Sequence, residues 1–158
     1  MSDANPKQFA IKKIYTKDIS FETPNSPQIF QDEKKWAPEI DVSLSNRSAA
    51  VGDDIYETIL SITVTSKLDE KVAYLVEVHQ AGQFFIKGLQ EEELRELLGS
   101  YCPNLLFPFV REAVSGLVVK GGFPQLLLAP VNFELLYAQH MKAVQDQQQK
   151  AAQPQSGH

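Results

Sequence analysis

The sequence predicts an α+β domain: a four-stranded antiparallel sheet followed by helices. Alternating apolar and polar residues run in four segments through residue 86, and from residue 90 onward the apolar residues recur at helical spacing. The length, 158 residues, fits one hydrophobic core and leaves no room for a second domain of ordinary size.

The first strand is FAIKKIYTKDISFE, residues 9 to 22, whose alternation is imperfect. Phe9, Ile11, Tyr15, Ile19 and Phe21 share one parity and Ile14, Thr16, Asp18, Ser20 and Glu22 the other, which predicts one buried face. TPNSP, residues 23 to 27, supplies turn chemistry, and residues 28 to 38 form a connection carrying the single tryptophan, Trp36. A second strand is expected from about Glu39 to Ser45, where Ile40, Val42 and Leu44 oppose Asp41, Ser43 and Ser45. IYETILSITVT, residues 55 to 65, is rich in β-branched residues and puts Tyr56, Leu60, Ile62 and Val64 on one side. The fourth strand, residues 72 to 86, puts Val72, Tyr74, Val76 and Val78 on one face.

QEEELRELLG, residues 90 to 99, reads as a short helix, with acids in its first turn and Gly99 at its stop. A longer helix is built on Leu106, Val110, Val114, Leu117 and Val118. Pro103 suits its first turn, Gly121-Gly122 its end, and Pro108 is expected to kink it or delay its start. FPQLLLAP reads as an extended apolar loop. VNFELLYAQHMKAV reads as a helix with Phe133, Leu136, Tyr137, His140, Met141 and Val144 along one side. Residues 1 to 8 are expected to be flexible, residues 9 to 144 to fold, and the Gln-rich residues 145 to 158 to be disordered.

Composition narrows the function classes. A formal charge of −5 disfavours nucleic acid as main partner, since phosphate binding needs a concentrated basic surface. MSDANPKQFA lacks a basic start followed by an apolar run, so a cytoplasmic location is expected. No uninterrupted apolar run approaches the roughly 20 residues a membrane span needs, so no direct membrane insertion is expected. One cysteine, Cys102, excludes a disulfide or a cysteine-based zinc site within one chain. No GxxxxGK[ST] loop occurs, so ATP chemistry is not expected, and no cofactor or metal is implied.

Three features remain. Cys102 before Pro103 could be a nucleophile at a helix N-terminus, with His79 or His140 as base, but neither histidine carries a local signature and a buried structural cysteine is the simpler reading. Asp18 and Glu22 lie about 13 Å apart by strand rise, too far to act as one acid-base pair, and a solvated strand face accounts for them. Leu75 and Glu77 also point away from the core, so if the first and fourth strands are neighbours, Asp18, Glu22, Leu75 and Glu77 form an acidic outer patch with one exposed leucine. The long helix has a second apolar or small face at Phe109, Ala113 and Gly116. Surplus surface of this kind marks an oligomer interface or a binding groove.

YCPNLLFPFVRE and GGFPQLLLAPVNFELLY, with IYTKDISFE and the Trp36 loop, resemble the SecB protein-export chaperone family across roughly residues 9 to 144. The CPN-x-LFP-x-x-RE and FPQL-x-LAPVNF blocks are long, non-repetitive, and in the family's order. The resemblance implies a SecB-like dimer of dimers, with long helices between two sheets and Phe109, Val110, Ala113, Val114, Gly116 and Leu117 at the oligomer interface. It implies a non-enzymatic, ATP-independent chaperone that binds unfolded secretory precursor proteins and delivers them to the SecA motor ATPase. A client groove is then expected at Trp36, Ile40, Val42, Leu44, Leu126, Leu127, Leu128, Phe133 and Tyr137, and less firmly at Phe30 and Phe107. The family's SecA contact falls on Asp18, Glu22, Leu75 and Glu77, the four residues that strand parity also groups. The family's tail contact with SecA matches this Gln-rich tail least. Related chaperones that serve toxin-antitoxin systems share the fold and form the alternative.

Overall fold

The structure, a computed structural model, describes residues 6–31 and 35–153. Residues 1–5, 32–34 and 154–158, which include most of the expected flexible N-terminus and the end of the expected tail, lie outside the described residues. The elements run β1 (Gln8–Glu22), a single helical turn α1 (Gln28–Gln31), β2 (Glu39–Gly52), β3 (Ile55–Leu68), β4 (Lys71–Lys87), α2 (Glu91–Glu96), a π-helical turn (Leu97–Tyr101), α3 (Cys102–Lys120) and α4 (Phe133–Ala152).

The four strands form one antiparallel sheet in the order β1-β4-β3-β2. Its inner face carries Leu60, Ile62, Val64, Tyr74, Val76, Val78, Phe84 and Ile86, all buried. Against it lies the apolar stripe of α3, where Leu106, Val110, Val114 and Val118 repeat every four residues and are fully buried. Two polar pairs bridge strands on this face: Thr16 Oγ1 donates to Gln80 Oε1 at 2.9 Å, and the Ser48 and Thr58 hydroxyls are 2.7 Å apart.

β1 pairs with its neighbour through two register shifts, where Lys12 and Lys17 are the extra residues. Each bulge reverses the facing of the residues C-terminal to it. Ile14 and Thr16 therefore turn inward opposite Gly82 and Gln80, and Tyr15 turns to the outer face opposite Ala81. This corrects the single parity expected for Phe9 through Phe21: Tyr15 leaves the apolar set and Ile14 joins it.

β2 runs seven residues past Ser45, the expected end, because its pairing with β3 continues to Gly52. Pro108 sits inside α3, which starts at Cys102 without delay. The wide turn of the π-helix lets α2 run into α3, so Glu91–Lys120 is one 30-residue helical stretch, by length and composition apolar enough to cross a membrane. Its apolar stripe is instead spent on the sheet.

α4 starts at an Asn132 cap, whose side chain accepts from the Leu135 N–H at 3.0 Å, and has Glu134 in its first turn. It continues to Ala152, which corrects the irregular tail expected from residue 145. Gln, Lys and Ala are favourable helix residues, and low complexity at 145–152 does not oppose a helix already nucleated.

Candidate functional site

Two surfaces occupy opposite faces of the sheet. The inner side of edge strand β2 presents Ile40, Val42 and Leu44, which pair with Ser66, Val64 and Ile62 of β3 and so face the helices. Beyond Leu44 the strand, the π-helical turn and α4 enclose an open cleft of about 590 Å3, whose lining includes Leu44, Leu98, Gly99, Phe133, Leu136 and Tyr137. Asn46 holds one wall by donating from Nδ2 to the Leu98 carbonyl at 3.3 Å. Gly99 lets α4 close on the π-turn, since a Cβ there would meet the Tyr137 ring at 2.5 Å.

A second apolar cluster lies where the 123–132 loop leaves α3. Phe123 is its centre, with ring centroids 4.9 Å from Phe30, 5.6 Å from Trp36 and 5.1 Å from Tyr74. Gly121 makes room for the Phe21 ring beside it. The loop is pinned by Gln125 Nε2 donating to Ser115 Oγ at 3.0 Å, and it leaves Leu127 68% exposed.

The structure sorts the expected groove residues by access. Leu44 and Tyr137 line the cleft, with Phe133 as its buried floor. Trp36, Ile40 and Leu126 are half-buried against the core, and Val42 and Leu127 are exposed. Leu128 and Phe107 are buried, Phe107 edge-on to Phe133 at 5.8 Å, while Phe30 is half exposed. Sequence reasoning did not assign Phe123, Leu98 or Met141 to this surface. Leu98 and Met141 were legible as stripe residues of helices, but which stripe meets β2 is set by packing.

Among the expected interface residues, Val110 and Val114 are fully buried under the sheet, so their side chains have no surface to offer a second subunit. This corrects their placement: helical spacing marks the apolar residues but does not say which layer takes them. Phe109 is exposed, Ala113 and Leu117 are half-buried, and the space around Gly116 is open. Phe9 and Tyr101, both exposed, meet edge-on at 5.3 Å on an adjoining part of the surface.

The outer face is polar. Asp18 pairs with His79, Ser20 with Glu77, and Glu22 with Leu75, so the four residues grouped by parity do share one face of adjacent strands. Asp18, Glu22 and Glu77 are exposed and Leu75 is half-buried. Sequence reasoning did not connect His79 to this patch: its Nδ1 is 2.8 Å from Ser61 Oγ and its Nε2 is 2.8 Å from Glu77 Oε1. Farther along the face, Tyr15 donates to Glu57, and Lys17 reaches the same carboxylate at 3.2 Å. The Tyr15 hydrogen bond holds the Glu57 carboxyl below its ordinary range against the opposing effect of burial, helped by Lys17 and the Arg47 charge.

Cys102 is fully buried, and desolvation pushes its thiol up to about 12 despite a hydrogen bond with Thr58. A protonated, sealed thiol is a poor nucleophile. His79 is engaged on the outer face and His140 lies on α4 at the cleft. Among the described residues no group of three or more His, Cys, Asp or Glu is placed to hold a metal ion.

Comparison with known proteins agrees with this architecture. The family model for SecB, the preprotein translocase subunit, matches residues 2–144. The protein-export protein SecB of Nitrosococcus oceani is 59% identical over 92% of this chain and 85% of its own. That of Methylococcus capsulatus is 53% identical over 96% and 98%, and that of Marinobacter nauticus 47% over 98% and 92%. A solved structure of a SecB-like chaperone from Mycobacterium tuberculosis, in complex with an antitoxin peptide, shares the fold at a TM-score of 0.65 and 18% identity, covering 78% of this chain and 90% of that one. With its sheet, its helices and both sequence blocks matched over nearly the whole length, the chain belongs to the SecB family of protein-export chaperones.

Proposed function

We propose that this protein binds unfolded secretory precursor proteins in the cytoplasm without ATP, keeps them competent for export, and passes them to the SecA motor ATPase, acting as a homotetramer of two dimers. The observation that carries this reading is that an open apolar surface and an acidic surface lie on opposite faces of one sheet. Client and motor can then be held together, with neither displacing the other.

The client surface is the cleft at Leu44 and Tyr137, extended along β2 through Val42 and Ile40 to Trp36 and Leu127. Burying aliphatic and aromatic area is worth roughly 25 cal/mol per Å2 without reading a sequence, and folded proteins hide the matching segments, so selection is by folding state. The free edge of β2 adds backbone hydrogen bonds for an extended chain. Asp18, Glu22, Leu75 and Glu77 are the SecA surface, where carboxylates around one apolar side chain suit a basic partner patch. Phe109, Ala113, Leu117 and Gly116 on α3 are the subunit interface, since small residues beside a phenylalanine allow another helix to approach closely. The other reading, service to a toxin-antitoxin system, has only a fold likeness behind it.

Light scattering after size separation tests the proposal. The expected mass is about four times 17.7 kDa for the protein alone, rising only when a chemically unfolded, signal-bearing precursor is added. A monomer that ignores the precursor would overturn it.

A further inference from the structure

Glu77 does not stand alone on the acidic face. Its carboxylate accepts from His79 Nε2 at 2.8 Å, and the other ring nitrogen, Nδ1, is 2.8 Å from the Ser61 hydroxyl. The three residues sit side by side on the outer face, His79 directly opposite Ser61 on β3 and Asp18 on β1. The His79 side chain is 28% exposed and that of Glu77 48%, so the pair is held and yet open to a partner. The pairing is geometrically selective: Glu77 and His79 are two apart on β4, the spacing that puts side chains on one face.

The arrangement survives either charge state of the imidazole. Neutral, the ring donates from Nε2 to Glu77 and accepts at Nδ1 from Ser61. Protonated, it donates from both nitrogens, and the serine hydroxyl rotates to accept. The hydrogen bonds persist while the charge changes. The other groups on this face offset little of it: Asp18 and Glu22 on β1 are acidic, Lys17 is bound to Glu57 of β3, and Asp41 and Arg47 lie on β2, one strand beyond β3.

We propose that His79 is the positioning residue of the acidic docking surface, holding the Glu77 carboxylate in place and cancelling its charge when it takes a proton. Docking of a basic partner then weakens as the medium acidifies, through a residue of the patch itself. Imidazole is the side chain whose ordinary titration falls between about pH 5 and 8. With a proton on the ring the Glu77–His79 pair is neutral, and without it the full charge of Asp18, Glu22 and Glu77 faces the partner. The inference rests on the reading of this face as the SecA surface.

The test measures binding of the full-length protein to SecA at pH 8 and pH 6, at low salt, for wild type, His79→Gln, His79→Ala and Asp18→Asn. Thermal unfolding at both pH values keeps loss of fold out of the comparison. Wild type is expected to lose about two- to fivefold in affinity from pH 8 to pH 6, the range of one exposed charge pair. His79→Gln, whose amide still bonds but takes no proton, should lose most of that difference. His79→Ala should weaken binding at pH 8, and His79→Gln should restore part of it. If His79→Gln shows the full wild-type pH difference, His79 is not the device and the inference fails while the docking surface stands. If Asp18→Asn binds SecA as wild type does at both pH values, the reading of the face fails and the inference falls with it.

Discussion

The ring of Tyr137 on α4 lies against the backbone of Gly99 in the π-helical turn, with no space for even a methyl group between them: a Cβ at Gly99 would lie 2.5 Å from one ring carbon and 2.7 Å from the next. This contact fixes where α4 crosses the helix before it and so sets the width of the cleft. Gly99→Ala is expected to cost about 1–3 kcal/mol of stability through overpacking. Urea denaturation checks the loss. Adding Tyr137→Leu should recover part of it, a non-additivity that would mark direct contact.

The cleft residues carry the prediction for clients. Leu44→Ser and Tyr137→Ser should each weaken retention of an unfolded precursor by about three- to tenfold, by removing apolar area from the lining. Val42→Ser should act in the same direction. The delay each variant imposes on precursor refolding measures the effect, and an unchanged subunit mass keeps it distinct from disassembly.

The outer face carries the opposite prediction. Leu75→Gln with Glu77→Lys reverses one charge and removes the apolar centre of the patch, so SecA binding should fall about tenfold or more while precursor retention changes little. Binding by wild type should weaken steeply with added salt, because exposed charges are screened within about 8 Å at physiological ionic strength. Titration calorimetry at two salt concentrations reads both effects.

Glu57 links folding to pH. Its carboxyl is held below the ordinary glutamate value of 4.5, first by the Tyr15 hydroxyl and then by Lys17 and Arg47. A depressed carboxyl contributes stability that is fully present above the unfolded value and is lost as pH falls through the folded one. Glu57→Gln should therefore destabilise the protein at pH 7, and its difference from wild type should shrink as pH falls below 4.5 and through the depressed folded value. Thermal melts across that range give the comparison.

Cys102 should be silent in the native state. With its thiol pushed up to about 12 and fully buried, only about one in 10,000 would be ionised at pH 8 even if reagent could enter. Labelling by a thiol reagent should be slow in buffer and fast in denaturing urea, with the native rate set by opening of the core. Cys102→Ala should leave precursor retention intact, whereas rapid native labelling would revive a reactive role.

Much of the fold is local and so can be read from residues in order. β3 and β4 are legible because Leu60, Ile62 and Val64, and Tyr74, Val76 and Val78, recur at every second position and are buried. Even so, Ile59 and Ala81 are buried on the other face, and a bulge at Ala73 takes Val72 out of the set expected for it. α4 announces its start through Asn132 and its apolar stripe. The pairing of Asp18, Glu22, Leu75 and Glu77 on one face was legible too, from strand parity joined to the assumption that β1 and β4 are neighbours.

What the order of residues could not decide depends on partners distant along the chain. Lys12 and Lys17 look like ordinary strand positions, and only pairing with β4 makes them bulges that exchange Ile14 and Tyr15 between faces. Val110 and Phe109 are both apolar neighbours on α3, yet one is sealed under the sheet and the other exposed, because a helix stripe has a buried side only once a sheet is laid against it. Likewise His79 reads as a lone histidine until the strands bring it between Ser61 and Glu77. Periodicity and capping are written in the chain because they act within a few residues. Register, layer and hydrogen-bond partner belong to the tertiary structure because they are set by residues tens of positions apart, chosen by how the whole core packs.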